Sequence, residues 1–113
     1  MLRISLGDIA FLLAADIGVH TEARMLESYP GLRAQVLKSP HHGSRTSSSW
    51  AFLEGIRPEV VVISAGLGNA YGVPHRDVLE RYAKMGARVL RTDRDGAVEI
   101  STDGRSLSVR TAR

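Results

Sequence analysis

The segment Ser39-Pro40-His41-His42-Gly43-Ser44-Arg45-Thr46-Ser47-Ser48-Ser49 sets two of the chain's four histidines side by side, ahead of a glycine and a run of hydroxyls. Imidazoles bind metal or move protons near neutral pH, while hydroxyls and backbone N–H groups hold phosphate oxygens. Adjacent side chains diverge in extended backbone, so one histidine can ligate while the other hydrogen-bonds or faces a substrate. The plainer alternative is two loop histidines near a helix start. Gly43 suits a sharp turn or close approach of a phosphate. Ser44, Thr46, Ser47, Ser48 and Ser49 could bind phosphate with a helix N-terminus behind them; otherwise one serine caps that helix and the rest are solvated. A serine nucleophile has little support, because there is no Gly-x-Ser-x-Gly elbow.

Partners for this segment are few. Asp16 follows an apolar run and is either a metal ligand or a cap for the next helix. Asn69, Tyr71 and His75 form a second polar group. His75 either approaches a metal or phosphate or simply begins a helix. His20 reads as a surface helix start. Asp93 and Asp95 read as turn residues, with Asp93 also placed to face a strand-end rim. Trp50 and Leu53 have helical spacing and read as core rather than as a base-stacking surface.

The elements that must position these groups follow from periodicity. Residues 2–6 and 9–14 predict a hairpin around Gly7-Asp8, its second strand apolar throughout and therefore covered on both faces. Residues 20–28 predict a short helix with Thr21 as a cap candidate, stopped by Pro30-Gly31. A strand over 32–37 leads into Lys38 and the histidines, and a helix begins near Ser48 or Ser49. Residues 59–64, with Val60-Val61-Val62-Ile63, predict a central strand. His75-Arg76-Asp77 opens a helix closed by Gly86 in the C′ position. Residues 88–91 predict a strand, 92–96 a polar turn, and 97–102 with 106–110 a second hairpin. This ββ-α-β-α-β-α-β-ββ order implies helices against a mixed sheet. Asp16, the histidine pair and the 66–75 loop all follow strands, so parallel strands would bring them to one rim.

Composition narrows the possibilities. The chain has 113 residues, enough for one domain or part of one, and no cysteine, which removes disulfides, Cys-ligated zinc and a Cys nucleophile. Net charge is +3, and no acid occurs between Glu27 and Glu54 while Arg33, Lys38 and Arg45 do. The histidine segment thus sits in a positive stretch that permits an acidic partner. Asp8 and Asp16 interrupt the apolar opening, which reads as mature structure rather than a signal peptide or membrane span.

Residues 36–49, VLKSPHHGSRTSSS, resemble the metallo-β-lactamase-like domain at the C-terminus of ComEC, the DNA-uptake channel protein of competent bacteria. The likeness continues through Phe52-Leu53, Pro58, Val62-Ile63-Ser64, Gly66, Asn69, Tyr71-Gly72, Pro74-His75 and the LRTDRDG of residues 90–96. Upstream, Gly7-Asp8 and Phe11-Leu12-Leu13 before Asp16 resemble the hairpin and metal-aspartate strand of that domain. The resemblance implies an α/β fold, half of a metallo-β-lactamase-like αββα sandwich, with a mixed sheet and helices packed on one face. It implies metal-dependent phosphodiester hydrolysis of DNA, with zinc or manganese as cofactor, in a domain thought to degrade the non-transported strand. Asp16 and His41 would then be metal ligands, with Asp16 shared between two metals and His41 interchangeable with His42. His42 and His75 would act in catalysis. Lys38 and Arg45 would hold the DNA backbone, and Gly43, Ser44, Thr46, Asn69 and Tyr71 would contact substrate.

The chain departs from that pattern in three places. With histidines only at 20, 41, 42 and 75, it cannot form the His-x-His-x-Asp-His motif that supplies most ligands in the superfamily. Ala14-Ala15 replaces a frequent Thr-Gly, and Val73 stands where a histidine often precedes Pro-His. Residues 1–113 are therefore expected to form a single partial domain lacking the N-terminal half, incomplete alone, whether as a fragment, a truncated product or one piece of a split protein. Its exposed apolar face would pair with a second copy or with the missing half on another chain, and the membrane channel would be reached only within a larger protein. That setting implies the extracytoplasmic membrane face, and otherwise the cytoplasm. The alternative is a non-catalytic nucleic-acid-binding or structural remnant using the basic His-Gly-Ser loop. A metal-free serine hydrolase is a third, weaker option.

Overall fold

The computed structural model describes residues 1–113. Strands β1 (Leu2–Leu6) and β2 (Ile9–Leu13) form the antiparallel hairpin, and β3 (Val36–Lys38), β4 (Val60–Ile63) and β5 (Arg88–Arg91) continue the sheet in parallel in the order β1-β2-β3-β4-β5. Helices α1 (Val19–Ser28), α2 (Trp50–Ile56) and α3 (Arg76–Lys84) fill the successive crossovers, and a short α4 (Thr92–Asp95) follows β5. Because right-handed crossovers advance in one direction across the sheet, all three crossover helices fall on one face. Alternation along the strands sends Ala10, Leu12, Leu37, Val61 and Ile63 to that face, where they pack with Phe52, Leu53, Ile56, Val78 and Tyr82. Burying each such large side chain contributes about 1.5–3 kcal/mol. The opposite face carries Val36, Val60 and Leu90, covered by the separate hairpin β6 (Val98–Thr102) and β7 (Leu107–Thr111) through Val98, Ile100, Leu107 and Val109.

Most predicted elements are present, with β4 an interior strand between β3 and β5 as its apolar run predicts, and with three differences. Strand β3 is shorter than residues 32–37, because the Gln35 side chain accepts a hydrogen bond from Ala10 N (2.7 Å) and Ala34 N turns to Ile56 O (3.2 Å). Gly18, not Thr21, precedes α1, with no side-chain cap. Trp50 is 43% exposed, because Phe52, Leu53 and Ile56 supply the buried side of α2.

The exposed apolar surface lies on the edge strand. Strand β2 is largely covered, while Leu2, Ile4 and Leu6 of β1 are 53%, 54% and 56% exposed. Their register opposite Leu13, Phe11 and Ile9 places them on the β6–β7 side of the sheet. That hairpin reaches β1 only at the turns, where Asp8 N donates to Gly104 O (2.7 Å), so the edge strand keeps a bare apolar stripe.

After β5, the polar turn closes on itself. Arg91 binds Asp93 through two hydrogen bonds (Nε–Oδ1 3.0 Å, Nη2–Oδ2 2.7 Å), and the Asp93 side chain is only 12% exposed. The Arg91 guanidinium hydrogen-bonded to it holds the Asp93 carboxyl below the usual carboxylate range. A depressed folded-state pKa stabilises above the unfolded value near 3.8 and loses that contribution as pH falls through the folded value. Asp93→Asn is expected to destabilise the chain by about 1–2 kcal/mol near pH 7 in urea unfolding, with the gap from the parent narrowing as pH falls below the ordinary carboxylate range.

Candidate functional site

The C-terminal ends of β2, β3 and β4 deliver Asp16, the 39–49 segment and the 64–75 loop to one rim. The 39–49 segment is tied to each neighbour by its backbone. Ser39 N donates to Val62 O (2.8 Å), His41 N to Ala15 O (2.9 Å), Val19 N to Thr46 O (3.0 Å) and His75 N to Gly43 O (2.9 Å).

Beneath the segment lies a buried polar network. Glu22 of α1 is fully buried, and its carboxylate accepts from Ser48 N and from Ser49 N (2.9 Å). The Tyr82 hydroxyl lies 2.6 Å from both Ser39 Oγ and Ser48 Oγ, and burial pushes its pKa above the usual 10.0. Arg81 donates to Ser48 O (2.9 Å) and Ser47 O (3.3 Å), while Ser47 Oγ is within hydrogen-bond reach of Pro40 O (3.0 Å) and Ser44 O (2.8 Å). Ser49 Oγ accepts from Phe52 N (3.2 Å), making it the cap of α2. No buried side-chain polar atom is left without a partner.

This anchoring holds a conformation the chain would otherwise avoid. His41 (φ 49°), His42 (φ 56°) and Ser48 (φ 58°) are all left-handed, each at a cost of about 1–2 kcal/mol for a residue bearing Cβ. Such strain persists only where the surroundings over-determine it. Its effect is to separate the two imidazoles.

His42 Nδ1 is 2.8 Å from Ser64 O. A carbonyl can only accept, so Nδ1 carries the proton in that contact, which in the neutral ring leaves Nε2 as the acceptor. Nε2 lies 3.8 Å from Asp16 Oδ1. One ion can touch both atoms, since two metal–donor bonds to N and O span up to roughly 4.2 Å. The Nδ1–H to carbonyl contact is also the usual means of fixing a ligating imidazole. Asp16, His41, His42, Ser44, Tyr71 and Val73 line a shared cavity of about 440 Å³.

The donor set stops at Asp16 and His42. No group of three or more His, Cys, Asp or Glu side chains is placed to hold a metal ion, whereas a catalytic zinc takes three protein ligands. The two donors fit one side of a coordination sphere and do not complete it. His41, expected as a ligand, is exposed on the cavity wall, and His42 is the imidazole brought to Asp16.

The remaining predicted residues divide between the cavity and the scaffold. Gly43 is buried with φ 80°, and a Cβ there would lie 2.7 Å from Pro74 Cβ, so its close approach is to the chain itself. The α2 N-terminus already holds the Glu22 carboxylate, which leaves no place for a phosphate on the Ser48 and Ser49 amides. Ser44 Oγ and Thr46 Oγ1 bond each other at 3.0 Å on the exposed side. Asn69 donates to Gly66 O (2.9 Å) and Val73 O (2.7 Å) and accepts from Tyr71 N and Val73 N (both 3.2 Å), so its amide organises its own loop. His75 caps α3 by accepting from Asp77 N (3.2 Å) and lines neither cavity at this rim. Lys38 shares the sheet face of Val36, away from the helices, and Arg45 projects from the exposed loop. Asp93 turns to Arg91, and His20 is exposed on the first turn of α1.

Sequence reasoning missed Glu22, Arg81, Tyr82 and the Ser64 carbonyl. Glu22 and Arg81 look like ordinary polar helix positions. The one available signal was a serine run whose helix-start N–H groups needed an acceptor.

Comparison with known proteins connects this geometry to a biological setting. The chain is similar to ComE operon protein 3 of Bacillus subtilis (34% identity over 99 residues, 88% of this chain and 13% of that protein). It is also similar to competence protein ComA of Neisseria gonorrhoeae (41% over 101 residues, 88% and 15%) and to recombination protein 2 of Haemophilus influenzae (36% over 81 residues, 72% and 10%). These relatives link it to proteins of bacterial competence. The chain spans about a seventh or less of the length of these curated relatives. No protein-family model matches it, and no solved structure matches it.

The buried carboxylate under the loop is directly testable. Glu22→Gln replaces one acceptor oxygen by a donor facing a backbone N–H, and is expected to cost about 2 kcal/mol in urea unfolding. Native-state hydrogen exchange should accelerate at the Ser48 and Ser49 amides more than at β4.

Proposed function

We propose that this chain is the C-terminal part of a metal-dependent phosphodiesterase module acting on DNA, within a larger DNA-uptake protein. The supporting observation is the His42–Asp16 pair: a lone-pair imidazole nitrogen, fixed through its other nitrogen, 3.8 Å from an exposed carboxylate oxygen on a strained and anchored loop. Zinc or manganese bound there would activate water and offset charge on phosphoryl oxygens. Asp16 and His42 would hold one side of that ion. His41, free on the same cavity wall, meets the substrate and can exchange a proton with it. The Ser44 and Thr46 hydroxyls donate to phosphate oxygens, and the Arg45 guanidinium contacts the backbone further along without reading sequence. His75, whose Nδ1 accepts at the helix cap, offers its Nε2–H outward.

The missing donors come from another segment, in the same protein or on another chain. The bare Leu2, Ile4 and Leu6 stripe is the surface on which it packs, since Leu2 pairs with Leu13 near the strand end that carries Asp16. No helix is long and apolar enough to cross a membrane. In this proposal the domain works at the extracytoplasmic face within a larger protein.

One observation favours a second reading. Two donors alone suit a non-catalytic nucleic-acid-binding surface built on His41, His42 and Arg45. Titration of zinc and manganese into the purified chain, followed by calorimetry and by the histidine ring NMR signals, separates the two. The phosphodiesterase proposal expects weak, saturable binding that moves the His42 signals and falls roughly tenfold or more in both Asp16→Asn and His42→Ala. Absent binding, or binding indifferent to both substitutions, selects the non-catalytic reading.

A further inference from the structure

Tyr71 is 88% exposed, and nothing in the chain packs over its ring. Exposed aromatics on floppy loops are unremarkable, but this one is held. Asn69 accepts from Tyr71 N and from Val73 N and donates to Gly66 O and Val73 O, which closes the 66–73 loop with one side chain. Gly68 and Gly72, at φ 64° and 67°, supply the two left-handed turns on either side. The backbone that presents the ring is therefore organised before any ligand arrives.

The ring also stands at a boundary. His42, Tyr71 and Val73 border both the cavity holding Asp16 and His41 and a second cavity of about 320 Å³ lined by Ser64, Ala65, Gly66 and Asn69. The second cavity has no acidic or basic side chain besides the shared His42, and the Asn69 amide is committed to its own loop. A charged phosphate belongs in the first cavity and an uncharged planar group in the second.

We infer that Tyr71 is a stacking platform for one unpaired nucleobase, seated in the 64–66 cleft while the adjoining phosphodiester occupies the Asp16–His42 cavity. This rests on the proposed function and names its substrate as single-stranded or frayed nucleic acid. A base inside a duplex has both faces covered by its neighbours and cannot stack on the ring. Recognition is sequence-tolerant, because every base offers a π-face.

The test is fluorescence anisotropy with manganese and low salt, using a labelled thymidine strand of about 12 nucleotides, an abasic strand of the same length, and the corresponding duplex. The thymidine strand should bind more tightly than the abasic strand and the duplex. Tyr71→Ala should weaken the thymidine strand roughly tenfold and leave the abasic strand unchanged, while Tyr71→Phe retains parent affinity. Equal affinity for thymidine and abasic strands, or a Tyr71→Ala loss shared by both, overturns the inference and leaves the phosphodiester reading standing. Failure of every strand to bind, with metal still bound by Asp16 and His42, removes nucleic acid as the substrate and the inference with it. Circular dichroism of Tyr71→Ala should match the parent, as expected for so exposed a side chain.

Discussion

A buried carboxylate from one helix caps the start of the next, and the rim of the sheet takes its shape from that contact. Glu22 on α1 receives the Ser48 and Ser49 amides ahead of α2. An unpaired carboxylate taken fully out of water would be strongly destabilising, so its two amide donors and the oriented α2 dipole are what permit its burial. From α3, Tyr82 reaches Ser39 and Ser48 while Arg81 reaches the carbonyls of Ser47 and Ser48. Two helices far apart in sequence thus grip both ends of the 39–49 segment, and its left-handed histidines are held between those grips.

This anchoring redistributes the roles within a segment whose composition suggests a phosphate cradle. Its glycine accommodates Pro74, its buried serines satisfy Tyr82 and neighbouring carbonyls, and its helix start is already neutralised. The groups left facing solvent are His41, His42, Ser44, Arg45 and Thr46. Rigidity and chemistry are divided between different members of one short run. The hydroxyl-rich composition consequently says more about how the imidazoles are aimed than about what they touch.

The sheet was largely legible in the sequence because its signal is local. Apolar runs bounded by Gly7-Asp8, Pro30-Gly31 and Gly86 gave the strands and helices, and the βαβ order implied a shared rim. The misplaced features depend on tertiary contact. Trp50 has core spacing but sits on the open side of α2, and the strand over 32–37 yields to a Gln35 side chain that replaces a backbone partner. In the site, strand-end positions of Asp16 and the histidines were foreseeable, whereas which imidazole lies beside Asp16 turned on the Ser64 carbonyl and on left-handed backbone at residues with Cβ. Neither leaves a trace in residue type. Glu22 was invisible for the same reason, since only its distant partners distinguish it from a solvated helix acid.

Two features meet at the same place. At the rim one carboxylate and one imidazole stand close together without a third donor, and apolar burial ends at the outer strand, where Leu2 and Leu13 lie close to the strand end that leads into Asp16. An edge strand with an exposed apolar face is a liability when nothing covers it, and an unfilled coordination sphere is inert. A single segment packed on β1 would relieve both, burying the stripe while bringing further donors towards the pair. The relatives, most of whose length lies outside the matched region, have ample chain from which such a segment could come. In the proposed reading sheet packing and metal binding are thereby linked, because Leu2 pairs with Leu13 at the strand end that leads into Asp16.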